Sequence, residues 1–213
     1  MKTEELISLL AAGETKLQAN TIRQRFVLTM AWGVPASALI MLCVFGVRSD
    51  LSQAMGDIVF WIKPAFAMTL ALYASLATWR LGRPGIRVGS AWLGMAIPLA
   101  LLWLLALVAI VGADPVERGD LIFGSTWTTC PFNIALISLP MLAAIFWFMK
   151  GLAPTKPMVS GSNAGLLSGA LATMIYSLHC PESSVPFVAI WYVLGIFIPT
   201  AAGAFLGPRL LRW

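Results

Sequence analysis

Between Arg25 and Arg48 the chain passes through residues 26–47 without a single charge, and stretches of this kind recur along its length. About 20 apolar residues are what an α-helix needs to cross a hydrocarbon core of roughly 30 Å. Residues 26–47, 58–79, 88–112, 132–149, 159–178 and 185–206 all read this way, edged by Pro, Gly or charged residues, and 159–178 is the least hydrophobic of them. The runs are apolar on every side, whereas strands of a membrane β-barrel alternate apolar and polar over about ten positions. Composition closes off a soluble domain: 11% of residues are charged and 59% hydrophobic, against roughly a quarter charged in soluble proteins. The expected fold is therefore all-α, a polytopic integral membrane protein built as a bundle of six transmembrane helices. Pro35, Pro98, Pro140 and Pro199 fall inside the runs, but neighbouring helices can satisfy the carbonyls they free. Lys63 is the only charge inside a run; near one end of it, its side chain is expected to snorkel outward.

Lys and Arg stay on the cytoplasmic side of short loops, and here they are unevenly shared. Lys2, Lys16, Arg23 and Arg25 precede the first run; Arg80, Arg83, Arg87, Lys150, Lys156, Arg209 and Arg212 fall in loops and a terminus on the same face. The opposite face has Arg48 and Arg118 among Asp50, Asp57, Asp114, Glu117, Asp120 and Glu182. This predicts a cytoplasmic N-terminal tail (1–25), a transmembrane domain (26–206) and a cytoplasmic C-terminal tail (207–213). The net charge of +5 is then a topology signal, and no basic stripe with interleaved aromatics suggests direct nucleic-acid binding. The first run is long enough to span and follows an acidic-containing tail, so it reads as a retained anchor rather than a cleaved signal.

Catalytic readings find little support. His179 is the sole histidine, and the helix between it and Ser162 is roughly 25 Å long at 1.5 Å per residue, which precludes a serine–base pair. The chain has no C-x-x-C motif, so disulfide-generating chemistry of that kind is disfavoured, and a non-enzymatic protein is expected. A small transporter or permease subunit is the alternative, since helices broken at proline can open carbonyls to a substrate. Gly161, Gly165 and Gly169 form overlapping GxxxG units, and Gly203 and Gly207 another; these allow close packing of the last two helices or a homodimer surface.

Three cysteines are present. Cys43 lies within the first run and reads as a small apolar residue. Cys130 and Cys180 differ: each precedes a proline at the edge of a run, which biases the cysteine toward an extended backbone. By charge, both sulfurs are expected exposed at the outer surface. A permanent disulfide is one reading; a switchable pair, closing reversibly or capturing a thiophilic metal, is the other. His179 and Glu182 stand beside Cys180 as auxiliary ligands for such an ion, although the spacing matches no zinc pattern and no permanent metal or cofactor is expected.

In the tail, Thr3 can cap a helix whose first turn carries Glu4 and Glu5. Leu6, Leu9 and Leu10, widened by Ile7, give it one apolar face. Alone in water so short a helix is marginal. Its acidic polar face suits anionic lipid poorly, leaving the groove of a cytoplasmic partner or the chain's own loops to cover the stripe.

The opening Met1-Lys2-Thr3-Glu4-Glu5-Leu6-Ile7, the six-run layout and the two outward Cys-Pro units together resemble the NrsF-type membrane anti-sigma factors, over nearly the whole chain. That resemblance implies a bacterial inner-membrane protein that sequesters an extracytoplasmic-function sigma factor and releases it on heavy-metal or oxidative stress. It further implies that Cys130 and Cys180 are the sensing thiols and that the helix around Leu6 to Leu10 holds the sigma factor, with loops 80–87 and 150–156 as possible helpers. The lipid bilayer and the sigma factor are the partners it implies.

Overall fold

The computed structural model describes residues 5, 15–82, 89, 91–152 and 154–212. Leu6, Ile7, Leu9 and Leu10 lie outside the described residues. The described chain is helical, with no residue in a strand. In order, the helices are α1 (Thr15–Ile40), α2 (Leu51–Ala54), α3 (Ile58–Leu81), α4 (Ala91–Gly112), α5 (Arg118–Phe123), α6 (Cys130–Lys150), α7 (Pro157–Tyr176) and α8 (Val185–Leu210). Helix α1 runs on through a π-helical turn, Met41–Phe45, and α8 contains a second, Val188–Tyr192.

Among the described residues, five stretches are long and apolar enough to cross a membrane: Thr21–Phe45, Ile58–Leu81, Ala91–Gly112, Cys130–Lys150 and Val185–Leu210. The expected run 159–178 is a helix of comparable length, α7, but falls outside this set. Its place in the bundle explains its composition. Helix α7 packs against α8, α3 and α6, and most of its residues are buried, including Ser160, Asn163, Ser168 and Thr173. A helix enclosed by other helices meets little lipid, so small and polar residues can replace Leu and Ile. Asn163 uses this setting: its Nδ2 donates to Ala74 O at 3.0 Å and to Thr78 Oγ1 at 2.7 Å, joining α7 to α3.

The glycine pattern is also absorbed here. A methyl group on Gly161 would strike the Gly203 carbonyl, one on Gly165 the Pro199 carbonyl, and one on Gly207 the Pro157 carbonyl. Backbones of α7 and α8 therefore touch along the GxxxG faces, within one chain.

Helix boundaries follow local chemistry. Asp57 caps α3, its Oδ1 accepting from Val59 N at 3.1 Å. Pro131 and Pro157 occupy first-turn positions of α6 and α7, where the missing N–H is not needed. Helix α1 is helical from Thr15 onward, so residues assigned to the tail continue directly into the first apolar run, and α8 carries on through Pro208 to Leu210. Outward faces stay apolar: Trp32, Leu93, Val108, Trp147 and Phe205 are all exposed, as a lipid-facing surface requires.

The two ends of the bundle differ. One gathers Arg48, Asp50, Ser125 and Glu182. At the other, Arg25 and Lys150 line a small cavity with Trp147 and Gly151.

Candidate functional site

Cys130 opens α6, and Cys180 lies in the loop between α7 and α8. Sequence separates them widely; the packing of α6 on α7 brings them together. Their side chains are free thiols close enough to affect each other's acidity. Exposed sulfurs were expected, but both residues are 0% exposed. The cause is the wall of groups around them, contributed by α3, α7, α8 and the loop before α6.

Cys130 is held by its backbone N–H, which donates to Thr126 O at 2.9 Å, and Cys180 by its own, donating to Tyr176 O at 3.1 Å. Tyr176 closes one side of the pocket: its hydroxyl accepts from Asn133 Nδ2 at 3.3 Å and reaches the Cys130 sulfur. Thr126 Oγ1 lies 3.9 Å from Cys180 Sγ. Tyr192, in the π turn of α8, is fully buried next to Tyr176, with ring centroids 5.9 Å apart. Its hydroxyl lies near the Cys180 sulfur but makes no well-formed hydrogen bond among the described residues.

Lys63 completes the pocket, and here the snorkelling expectation fails. The residue is 1% exposed. Its Nζ points inward, donating to the Cys180 carbonyl at 3.1 Å and lying 5.8 Å from the centroid of the Tyr192 ring. A carbonyl dipole and an aromatic face replace the water that an outward-turned ammonium would have found. Arg48 Nη1 donates to the same carbonyl at 3.4 Å, while its Nε and Nη2 form a fork on Asp50 at 2.7 and 2.6 Å.

These groups set the acidity of the Cys180 thiol. The hydrogen bond from Cys130 holds it below the usual thiol range against the opposing effect of burial, and the Lys63 charge and the Glu182 backbone N–H act in the same direction as Cys130. Asp50 is likewise held below the usual carboxylate range by the hydrogen bonds from Arg48. A thiol pair in which one member tends toward thiolate is suited to disulfide exchange and to capture of soft cations.

The two proposed auxiliary ligands are engaged elsewhere. His179 Nδ1 donates to Gly46 O at 2.9 Å. Glu182 Oε1 accepts from Ser125 N at 2.8 Å and Ser125 Oγ at 2.6 Å. Among the described residues no group of three or more His, Cys, Asp or Glu side chains is arranged to hold a metal ion. The sulfurs are thus the soft donors that this end of the bundle brings together.

Sequence reasoning found the two cysteines but not their setting. Tyr176, Tyr192, Asn133, Thr126 and Arg48 carried no motif. Lys63 did carry a signal, because an ionisable residue inside an apolar span marks a functional site by default.

Comparison with known proteins accords with this architecture. The sequence model of a family described as "NrsF: Negative regulator of sigma F" matches residues 10–213. A protein of Azospira oryzae named "Probable anti-sigma-F factor NrsF" is 43% identical over 213 residues, covering all of both chains. The "Anti-sigma-F factor NrsF" of Caulobacter vibrioides is 34% identical over 214 residues, again covering all of both chains. No solved structure matches the chain. Full-length similarity of this kind makes the assignment plain: the chain belongs to the NrsF family of negative regulators of sigma F.

Proposed function

We propose that this chain is a membrane anti-sigma factor of the bacterial inner membrane, crossing it six times with both termini in the cytoplasm. It retains an extracytoplasmic-function sigma factor through the apolar stripe Leu6, Ile7, Leu9 and Leu10, and releases it when heavy-metal or oxidative stress reaches Cys130 and Cys180. Family membership supports the regulatory role, and relatives named as anti-sigma-F factors suggest the class of partner. The observation that carries the sensing role is the joining of two distant thiols in one pocket beside a buried lysine. The charge bias of the loops supports the orientation, and α7, enclosed by its neighbours, serves as the sixth crossing.

The chemistry is simple. Under a two-electron oxidant such as a peroxide, an S–S bond replaces the two sulfur–hydrogen bonds; two electrons pass to the oxidant and the protons leave to solvent. A thiophilic divalent cation such as cadmium instead displaces the protons and bridges the sulfurs. Either event changes the relative free energy of two states of the bundle, as any ligand-driven shift requires.

The test is co-purification of a sigma factor with the chain from membranes, before and after cadmium or diamide. Wild type is expected to lose the sigma factor on treatment, and Cys130→Ser with Cys180→Ser to keep it while inserting normally. Equal loss from both proteins would refute the assignment of the thiols.

A further inference from the structure

The cysteine loop is fastened to the end of α1 by several independent contacts. Arg48 N donates to Leu178 O at 3.3 Å, Arg48 Nη1 donates to Cys180 O at 3.4 Å, and His179 Nδ1 donates to Gly46 O at 2.9 Å. The Phe45 ring packs on Tyr176 at 6.3 Å and on His179 at 5.5 Å between centroids. Three consecutive loop residues, 178 to 180, are thereby tied to residues 46–48. Gly46 makes the abrupt exit from α1 that this requires: its φ of 72° and ψ of 171° lie in a region essentially closed to other residues.

Upstream of this latch, α1 is a lightly held rod. Only 22% of its most apolar stretch is buried, and its main packing partner is α6. It is helical back to Thr15, which follows Leu10 by five positions in the sequence. The turn at the latch, Met41–Phe45, is π-helical and closes with Gly46 N on Met41 O at 3.0 Å. Such turns are rare and accumulate at functional sites. Relaxing a π turn to α gives up one residue per turn, which shifts the rest of the helix by about 1.5 Å and rotates it by about 100°.

We propose that Arg48 and His179 are the coupling residues of the thiol signal and that α1 transmits it: their latch holds the Met41–Phe45 turn in its π form, and thiol chemistry at Cys180 releases α1 to slip by one residue. The inference rests on the reading of Cys130 and Cys180 as sensor. Bond formation supplies the displacement, because two free thiols must approach to about 2.05 Å in a disulfide. Cys130 is fixed in the first turn of α6, so the Cys180 loop is the part that moves. The carbonyl that Arg48 and Lys63 share moves with it.

Amide hydrogen exchange on the full chain in lipid nanodiscs, reduced and after diamide, tests this. In wild type, oxidation is expected to raise exchange by about tenfold at residues 41–48 and to alter it at residues 15–25. Arg48→Ala with His179→Ala, taken to complete loss of both thiols under diamide whatever its rate, should leave residues 15–25 unresponsive. Deleting Val44, which removes the extra residue of the π turn, should give the oxidised pattern at residues 15–25 with both thiols still reduced. A far-end response that survives loss of the latch, or wild-type exchange at 41–48 that ignores oxidation, overturns the coupling route. Failure of diamide to join Cys130 and Cys180 in wild type would instead remove the sensor reading beneath it, so the two failures are distinguishable.

Discussion

An ammonium inside a membrane bundle persists only where dipoles stand in for water, and Lys63 has the Cys180 carbonyl and the Tyr192 ring for that purpose. It also places a positive charge beside two sulfurs. With the hydrogen bond from Cys130, that charge favours the Cys180 thiolate. The expected consequence is a pH profile. Alkylation of Cys180, followed in a Cys43→Ser background after brief detergent exposure, should reach half its maximal rate below the pH of about 8.5 that describes a free cysteine. Lys63→Met and Cys130→Ala should each move that midpoint upward, because each removes a group that stabilises the anion. A midpoint unmoved by Lys63→Met would separate the lysine from the thiol chemistry. Lys63 was visible in the sequence as the single charge within a run; its direction was not, because direction depends on which helices surround α3.

Among the elements, α7 and α8 show how small residues define an interface that hydropathy does not reveal. Their glycine faces are in backbone contact, so Gly165→Ala should push the helices apart. Overpacking of this kind costs about 1–3 kcal/mol, to be read as a lower thermal midpoint in detergent, whereas Gly119→Ala, with open space around it, should leave the midpoint unchanged. The apolar runs themselves were legible, since a lipid environment constrains every residue of an outer helix. Run 159–178 was the faintest, because α7 answers to protein neighbours instead. The π turns had no legible signal at all. The turn in α8 has Trp103 Nε1 donating to Ala189 O at 3.1 Å and Trp191 Nε1 donating to Ile122 O at 2.8 Å, contacts between distant segments that no local pattern encodes.

For the whole molecule, the proposal assigns different work to the two ends: sensing to the thiol pocket at one, and partner binding to the segment that precedes α1 in the sequence at the other. Leu9→Asp with Leu10→Asp should abolish capture of the sigma factor by membranes while leaving the thiol pocket and its alkylation profile intact. Retained capture would move the binding surface to the loops near Arg80 or Lys150. The distribution of Lys and Arg is what the expected orientation of these ends rests on. Cys130 and Cys180 were expected as a pair; their enclosure was not readable, because it follows from how α3, α7 and α8 pack around them.

The most direct measurement uses sealed spheroplasts treated from outside with a membrane-impermeant thiol-oxidising reagent, followed by the fraction of sigma factor remaining on the membrane. This fraction is expected to fall in wild type, in step with loss of the two thiols, and to stay constant in Cys130→Ser with Cys180→Ser. Complete oxidation of the pair with the sigma factor still bound, or an equal fall in the double-serine protein, would contradict the sensor reading.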